Sequence, residues 1–400
     1  MQADLEFVKL INELEEEMAN EHLPELSQKI LNEINEIQSV PGFHDTIDCS
    51  TLNCVREYEM ARKPRAKKEA ENSKTTKSLI DALKFLKLGQ SKNGTEDQTF
   101  CQLKNHWAMI CTDGLAMGVP IEEDLDACPH TYNLLAALGS CKSELLISQP
   151  NRFELNVKSG EFNANVNCLG DFQQELVQYD IADKPIAEIG NSIVSAFKVL
   201  GKLVTKTPTN IVFGSVLLQA NSTVATDGCA LVEFWHGVNL PPNMLIPKIA
   251  IDAIVGAKKE LKSFGISEYF HPCGSPASIT FYFEDGSWIK TALPDSQYIN
   301  YSPIINIQTE QKSLPIGFME GVKTLAAFST DSIITFDESA MRTTNGATFE
   351  ISGLPNDIAF DYNYLLQFEK IMNTACFDVA AQHVIFYGDG VRGLVKAMEV

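Results

Sequence analysis

The tripeptide Thr-Asp-Gly stands at residues 112–114 and again at 226–228, 114 residues on, in matching surroundings. A strand-like run precedes each copy (HWAMIC, NSTVA) and another follows it (LAMGVPI, CALVEFW). An amphipathic helix lies upstream of each, TKSLIDALKFLKLG and GNSIVSAFKVLGKLVTK, and a second lies downstream, HTYNLLAALGSC and PKIAIDAIVGAKKELK. Two further strands close each unit: RFELNVKS with EFNANVNCL, then PASITFYF with SWIKTAL. A third, more worn copy fills the remainder, from helix GFMEGVKTLAAF through strands SIITF, MRTTNG and ATFEIS to helix DYNYLLQFEKIMN and strands HVIFYG and RGLVKAMEV. Self-similarity on this scale makes each copy one supersecondary unit. Three tandem helix–strands–helix–strands units predict an α+β chain with helices segregated to one face of antiparallel sheets.

The segment before residue 72 is different. Residues 1–38 carry ten acidic side chains against Lys9 and Lys29, and apolar residues recur at helical spacing from Leu5 to Met18 and from Leu26 to Ile37. Two short helices are expected there, separated at Pro24 and closed by Pro41-Gly42. Residues 61–77 invert the charge, with seven Lys or Arg against Glu69 and Glu71. This tract reads as a solvated linker, the other reading being an arm that touches nucleic acid.

With 32 basic and 52 acidic residues the net charge is −20, which excludes a wholly basic nucleic-acid binder but not a locally basic surface. Ten cysteines at irregular spacings, with no C-x-x-C, do not support a zinc ribbon or a thioredoxin-like site, and read as reduced thiols. The seven histidines form no ligand-like spacing, and His271-Pro272-Cys273 reads as a loop rather than a half-site. No Walker loop or nucleophile elbow is present. Asp-Gly between alternating apolar runs favours a tight turn at Asp113-Gly114 and Asp227-Gly228, the other reading making Asp113 and Asp227 catalytic bases or metal ligands. The acidic N-terminus lacks a basic start and apolar run, and Thr207–Thr226 is too polar to span a bilayer. The expectation is a cytoplasmic, non-enzymatic protein with no cofactor, metal or membrane partner.

The stretch ATDGCALVEFWHGVNLPPNMLIPKIAIDAIV, followed by PDSQYINYSPII, resembles the central domain of the bacterial DNA polymerase III beta subunit, the sliding clamp. Asp295, Tyr298, Tyr301 and Pro303 echo that family's exit into its third domain. CTDGLAMGVPI, HTYNLLAAL and NVKSGEFNANVNCL look like first-domain elements, and GLVKAMEV like the final apolar strand. The resemblance covers about residues 72–400. It implies three DNA-clamp (processivity-fold) domains at 72–180, 181–303 and 304–400, with residues 1–71 an N-terminal helical extension without counterpart. It further implies a homodimer ring closed head to tail, helices lining an inner face around double-stranded DNA without regard to sequence, and antiparallel sheets outside. The partners implied are peptides of a DNA polymerase and a clamp loader, and the setting is the nucleoid. The divergence suggests a phage-encoded or otherwise specialised clamp.

A ring that slides needs a positive inner face making weak phosphate contacts. In GNSIVSAFKVLGKLVTK the apolar side is Ile193, Val194, Phe197, Leu200 and Val204, and the opposite stripe is Asn191, Ser195, Lys198, Lys202 and Lys206. Lys77, Lys84, Lys87 and Lys92 are the first-unit counterparts, the second helix of unit two, PKIAIDAIVGAKKELK, offers Lys258 and Lys259, and the third unit offers only Lys323 and Lys370. Carried over by position, the family's partner-peptide cleft between domains 2 and 3 would use Phe213, Thr226, Gly228, Cys229, Leu231, Pro303 and Met398, with Tyr364 and Leu365 as the far wall. For Phe213, Leu231 and Met398 ordinary core is the competing reading. Cys229-Ala230 stands where the family has His-Arg, and the ending Lys396-Ala397-Met398-Glu399-Val400 also departs from it, which changes charge at the cleft rim. The alternative function is a clamp-fold interaction protein or decoy that binds replication partners without forming a ring.

Overall fold

The computed structural model describes residues 76–112, 114–142, 145–170, 182–306 and 310–398. The readings on residues 1–71 and on Asp113 lie outside these residues. Each sequence unit supplies a pair of helices: α1 (Thr76–Leu86) and α2 (Thr131–Ser140), then α3 (Ser192–Leu200) and α4 (Lys248–Ala257). A short α5 (Ser302–Ile305) leads on to α6 (Phe318–Ala326) and α7 (Tyr362–Phe368). The helices pack in their pairs, α1 on α2, α3 on α4 and α6 on α7. Their periodic apolar residues explain why, since Leu79, Leu83 and Leu86, then Ile193, Phe197 and Leu200, then Phe318, Val322 and Leu325 are all buried. No helix among the described residues is long and apolar enough to cross a membrane.

The strands repeat in the same order. In the first unit β1 (Gln102–Lys104), β2 (Trp107–Thr112), β3 (Leu115–Pro120) and β4 (Cys128–Pro129) precede α2, and β5 (Leu146–Asn151), β6 (Glu154–Ser159) and β7 (Phe162–Leu169) follow it. In the second, a lead-in strand β8 (Pro185–Glu188) comes before α3. There β9 (Ser215–Leu218), β10 (Ser222–Thr226), β11 (Ala230–Trp235) and β12 (Met244–Pro247) precede α4, and β13 (Leu261–Ile266), β14 (Ser278–Phe283) and β15 (Trp288–Ala292) follow it. The third repeats the scheme with β16 (Lys312–Ser313), β17 (Ile333–Asp337), β18 (Ala340–Thr343), β19 (Thr348–Glu350) and β20 (Ile358–Asp361), then β21 (Thr374–Asp378), β22 (His383–Gly388) and β23 (Val391–Lys396). The worn third copy is therefore complete, its wear showing as a three-residue β19 where β3 and β11 have six.

Sheets cross the boundaries between units. One has the order β1-β2-β3-β15-β14-β13-β8, and the next β12-β9-β10-β11-β23-β22-β21-β16. The joins are antiparallel: β3 on β15, with Gly118 opposite Trp288, and β11 on β23, with Glu233 opposite Arg392. At the first join the Trp288 ring lies over Gly118, so that a Cβ there would meet the indole at 2.4 Å. Gly118→Ala is expected to cost about 1–3 kcal/mol through overpacking, read as a lowered denaturation midpoint; an unchanged midpoint would show that the ring can shift freely. Lys259 reinforces the same join. Its ammonium lies 3.9 Å from the Phe85 ring centroid of α1 and 2.7 Å from Asp285 in the β14–β15 turn.

Both connections between units are fastened to sheets. Asp183 is reached by Ser278 Oγ at 3.0 Å, Thr280 Oγ1 at 2.9 Å and Lys290 Nζ at 3.4 Å. The later connection lays Tyr298, Tyr301 and Ile305 over Leu217, Val224, Leu231 and Leu245, a core separate from the main one. Burial pushes the Tyr298 and Tyr301 phenols up from their usual range.

Two helices are shorter than their sequence patterns. PKIAIDAIVGAKKELK is helical only to Ala257, because Lys258 turns left-handed at φ 53°, and the Leu261 that continued the pattern begins β13. α3 stops at Leu200, so Lys202 and Lys206 lie beyond the helix proper.

Candidate partner cleft and nucleic-acid face

The Thr226-Asp227-Gly228 turn joins β10 to β11. Asp227 Oδ1 accepts from the backbone N–H of Cys229 at 2.9 Å and of Ala230 at 2.8 Å. Thr226 Oγ1 donates to the Ala230 carbonyl at 2.7 Å and accepts from the Gly228 N–H at 3.1 Å. Gly228 has φ +94°, which explains glycine there. The remaining Asp227 oxygen accepts from the Tyr364 hydroxyl of α7 at 2.7 Å, so both oxygens are committed to structure. Burial first, then the Asp227 carboxylate, raise the Tyr364 pKa. The turn reading of Asp227 is the one the geometry supports.

A similar turn stands one strand earlier in the third unit. Asp337, between β17 and β18, accepts from Ser339 N–H at 2.9 Å and Ala340 N–H at 2.8 Å, 110 residues after Asp227. Arg342, and then these turn donors, hold the Asp337 carboxyl down at about 2.

Around the Asp227 turn the structure gathers part of the residue set inferred from the sequence. Phe213 lies against Gly228, 3.7 Å from where a Cβ would stand, and Cys229 is exposed at the tip. Lys396 N–H donates to the Cys229 carbonyl at 2.8 Å, and Met398 N–H to Ala359, just before α7, also at 2.8 Å. Met398 is 37% exposed. Phe213, Cys229 and Tyr364 thus meet at one turn, with Thr226 buried beneath it, and Met398 lies two residues beyond the Lys396 that bonds to it.

Three residues belong elsewhere. Leu365 is 0% exposed and sits in the main core, because on α7 it faces inward beside Phe368. Leu231 alternates to the opposite face of β11 from Ala230 and Val232 and packs under Ile305. Pro303 is exposed on α5, which covers that second core.

Of the nine lysines expected on one face, Lys77, Lys84, Lys92, Lys198, Lys202, Lys206 and Lys258 are exposed. The α3 stripe matches its sequence pattern, with Asn191, Ser195, Lys198 and Lys202 exposed and Ile193, Val194, Phe197, Leu200 and Val204 buried. Lys198 and Lys202 have no ion pair among the described residues. Lys206 lies 3.1 Å from Asp252, Lys84 lies 3.3 Å from Asp81, and Lys87 lies 5.2 Å from the Tyr132 ring centroid. Lys259 does not belong to the face. Its ammonium is held against Phe85 and Asp285 and its side chain is only 24% exposed. In the third unit Lys323 pairs with Glu369.

No family model and no curated protein matches the sequence. Solved structures do. A Helicobacter pylori beta clamp bound to a DNA ligase peptide matches at TM-score 0.63 and 16% identity, over 80% of this chain and 98% of that one. A DNA polymerase sliding clamp from Pseudomonas aeruginosa matches at TM-score 0.64 and 12% identity over 81% and 98%, and one from Bacillus subtilis at 0.64 and 12% over 80% and 97%. The chain has the sliding-clamp fold. Almost the whole length of each clamp is matched, so the three units correspond to the complete fold rather than to one of its parts.

Among the described cysteines, the exposed Cys229 contrasts with the buried Cys101 and Cys168. Burial pushes the Cys101 and Cys168 thiols up to about 12, whereas Cys229 stands exposed on its turn. Iodoacetamide at pH 8 is expected to label Cys229 well ahead of Cys101 and Cys168, since the thiolate is the nucleophile. Peptide mapping checks this, and early labelling of Cys101 would contradict the placement.

Proposed function

We propose that the chain is a DNA polymerase sliding clamp without catalysis of its own. Its three clamp domains are residues 72–180, 181–303 and 304–400. Two copies close head to tail around duplex DNA, and the Asp227–Tyr364–Met398 neighbourhood takes short apolar peptides of a polymerase and a clamp loader in the cytoplasm. The observation that carries this reading is the repetition of one joint. β3 meets β15 at the first boundary and β11 meets β23 at the second. The strand of β3 and β11 rank in the third unit is β19, and the strand of β15 and β23 rank in the first is β7. Among the described residues β19 is the outermost strand of its sheet, and β7 is paired beyond β6 only at its end, from Asn167 to Leu169. The chain thus ends in the two halves of the joint it has already made twice. A second copy would pair both edges, in keeping with the tendency of sheets to leave no edge open and of heterologous contacts to close into rings.

The peptide bound to the H. pylori clamp supports the partner class. The brevity of β19 favours a second reading, an adaptor that binds partners without closing a ring. Retention on DNA separates them. A ring assembled with a closed circular duplex stays through a high-salt wash and leaves once the circle is cut. An adaptor, holding only by charge, washes off circular and linear duplex alike.

A further inference from the structure

We infer that the joint between the first and second units carries a second peptide-docking cleft, taking a short apolar segment with an acidic residue. The cleft has a volume of about 490 Å³, within the usual range for ligand pockets. Its walls come from both units: Leu88 and Thr112 from the first, and Pro208, Ile211, Ile249 and Pro294 from the second. Ile211 and Ile249 are large apolar side chains left 46% and 39% exposed, although each sits on a rigid element, the 3₁₀ turn Ile211–Gly214 and the start of α4.

The position repeats the cleft of the proposed function one unit earlier. Thr112 occupies the place of Thr226 before Asp-Gly, Pro247–Ile249 enters α4 as Asp361–Asn363 enters α7, and Pro294 follows β15 as Met398 follows β23. The joint has therefore produced an apolar hollow here too, and its chemistry is specific. The charged residues lining it are both lysines, Lys206 and Lys248, and both contact the single carboxylate of Asp252. Two cations on one anion leave a positive charge in excess at the rim, with Lys206 71% exposed. The space admits a few side chains and not a domain, so the matching occupant is a short peptide whose leucine- or phenylalanine-like side chains cover Ile211 and Ile249 while an aspartate or glutamate meets Lys206.

The test uses the full chain and a labelled hexapeptide of one aspartate followed by leucine, leucine, proline, leucine and phenylalanine, with a lysine-for-aspartate control. Hydrogen exchange is expected to show protection at residues 86–91 and 205–215 on adding the aspartate peptide, and Ile249→Asp is expected to abolish it. Aspartate near a helix start is compatible with α4, so this variant should fold. Lys206→Glu is expected to reverse the preference at this joint, favouring the lysine peptide by at least tenfold. Protection at these segments supports the inference whether or not residues 226–231 are protected as well. Protection confined to residues 226–231 and 361–365 would overturn it and leave the proposed cleft standing. So would protection unaltered by Ile249→Asp, or none anywhere; the last result counts against both clefts.

Discussion

Arg392→Ala is expected to destabilise the chain by about 3–5 kcal/mol, the range for removing one partner of a buried ion pair. Glu233, with its side chain 7% exposed, receives Arg392 through Nε at 2.8 Å and Nη2 at 2.6 Å. The two residues face each other across β11 and β23, so the pair spans the second joint itself. Ser222 Oγ donates to the other Glu233 oxygen at 2.9 Å, and the guanidinium lies 5.0 Å from the Trp235 ring centroid. Removing the arginine leaves an anion in a site that water reaches poorly, and that penalty outweighs the loss of any one hydrogen bond. Replacing both partners with apolar residues of similar volume should recover much of the loss, because the desolvation cost then disappears. Denaturant titration measures both variants. A single-variant loss below about 1 kcal/mol would show that the pair behaves as a surface bridge.

Lys198→Glu combined with Lys202→Glu is expected to give the largest change in DNA behaviour. These side chains stand on the exposed stripe of α3 and just beyond it, free of ion pairs among the described residues. Removing one lysine from a phosphate lowers the salt slope of binding by about 1. Two per chain and two chains per ring make a reduction of about four, together with weaker retention at low salt. Lys259→Glu should act differently. It strikes the Phe85–Asp285 contact at the first joint and should lower stability with little change in salt slope. Peptide binding at the Asp227 turn should persist in the double variant. An unchanged slope for it would remove α3 from the DNA-facing surface.

The sequence made the repeat legible because its markers are local. Asp-Gly between apolar runs is a turn by the chemistry of its own side chain, and the helices announce themselves through a period that survives divergence. Where the signal is non-local, it fails. β4 and β16 are two residues long and exist only because a neighbouring strand receives them, so no pattern within the strand could reveal them. Lys258 ends α4 without glycine, and the apolar period ran on past it. Burial is not legible where a side chain's neighbours are remote in sequence. The lysine pattern assigns Lys259 to the DNA-facing set, whereas Phe85 of α1 lies against its ammonium. For Leu231 the core reading is the one the structure bears out, beneath α5, and Leu365 lies inside the main core. The Glu233–Arg392 pair, 159 residues apart, left no trace in the sequence.

Single-particle electron microscopy of the full chain at micromolar concentration tests the central claim most directly. The expected image is a closed particle of two chains, its sheets on the rim and its helices around an opening wide enough for duplex DNA. A particle of one 44.2 kDa chain with no opening, or helices turned away from any shared concavity, would contradict it.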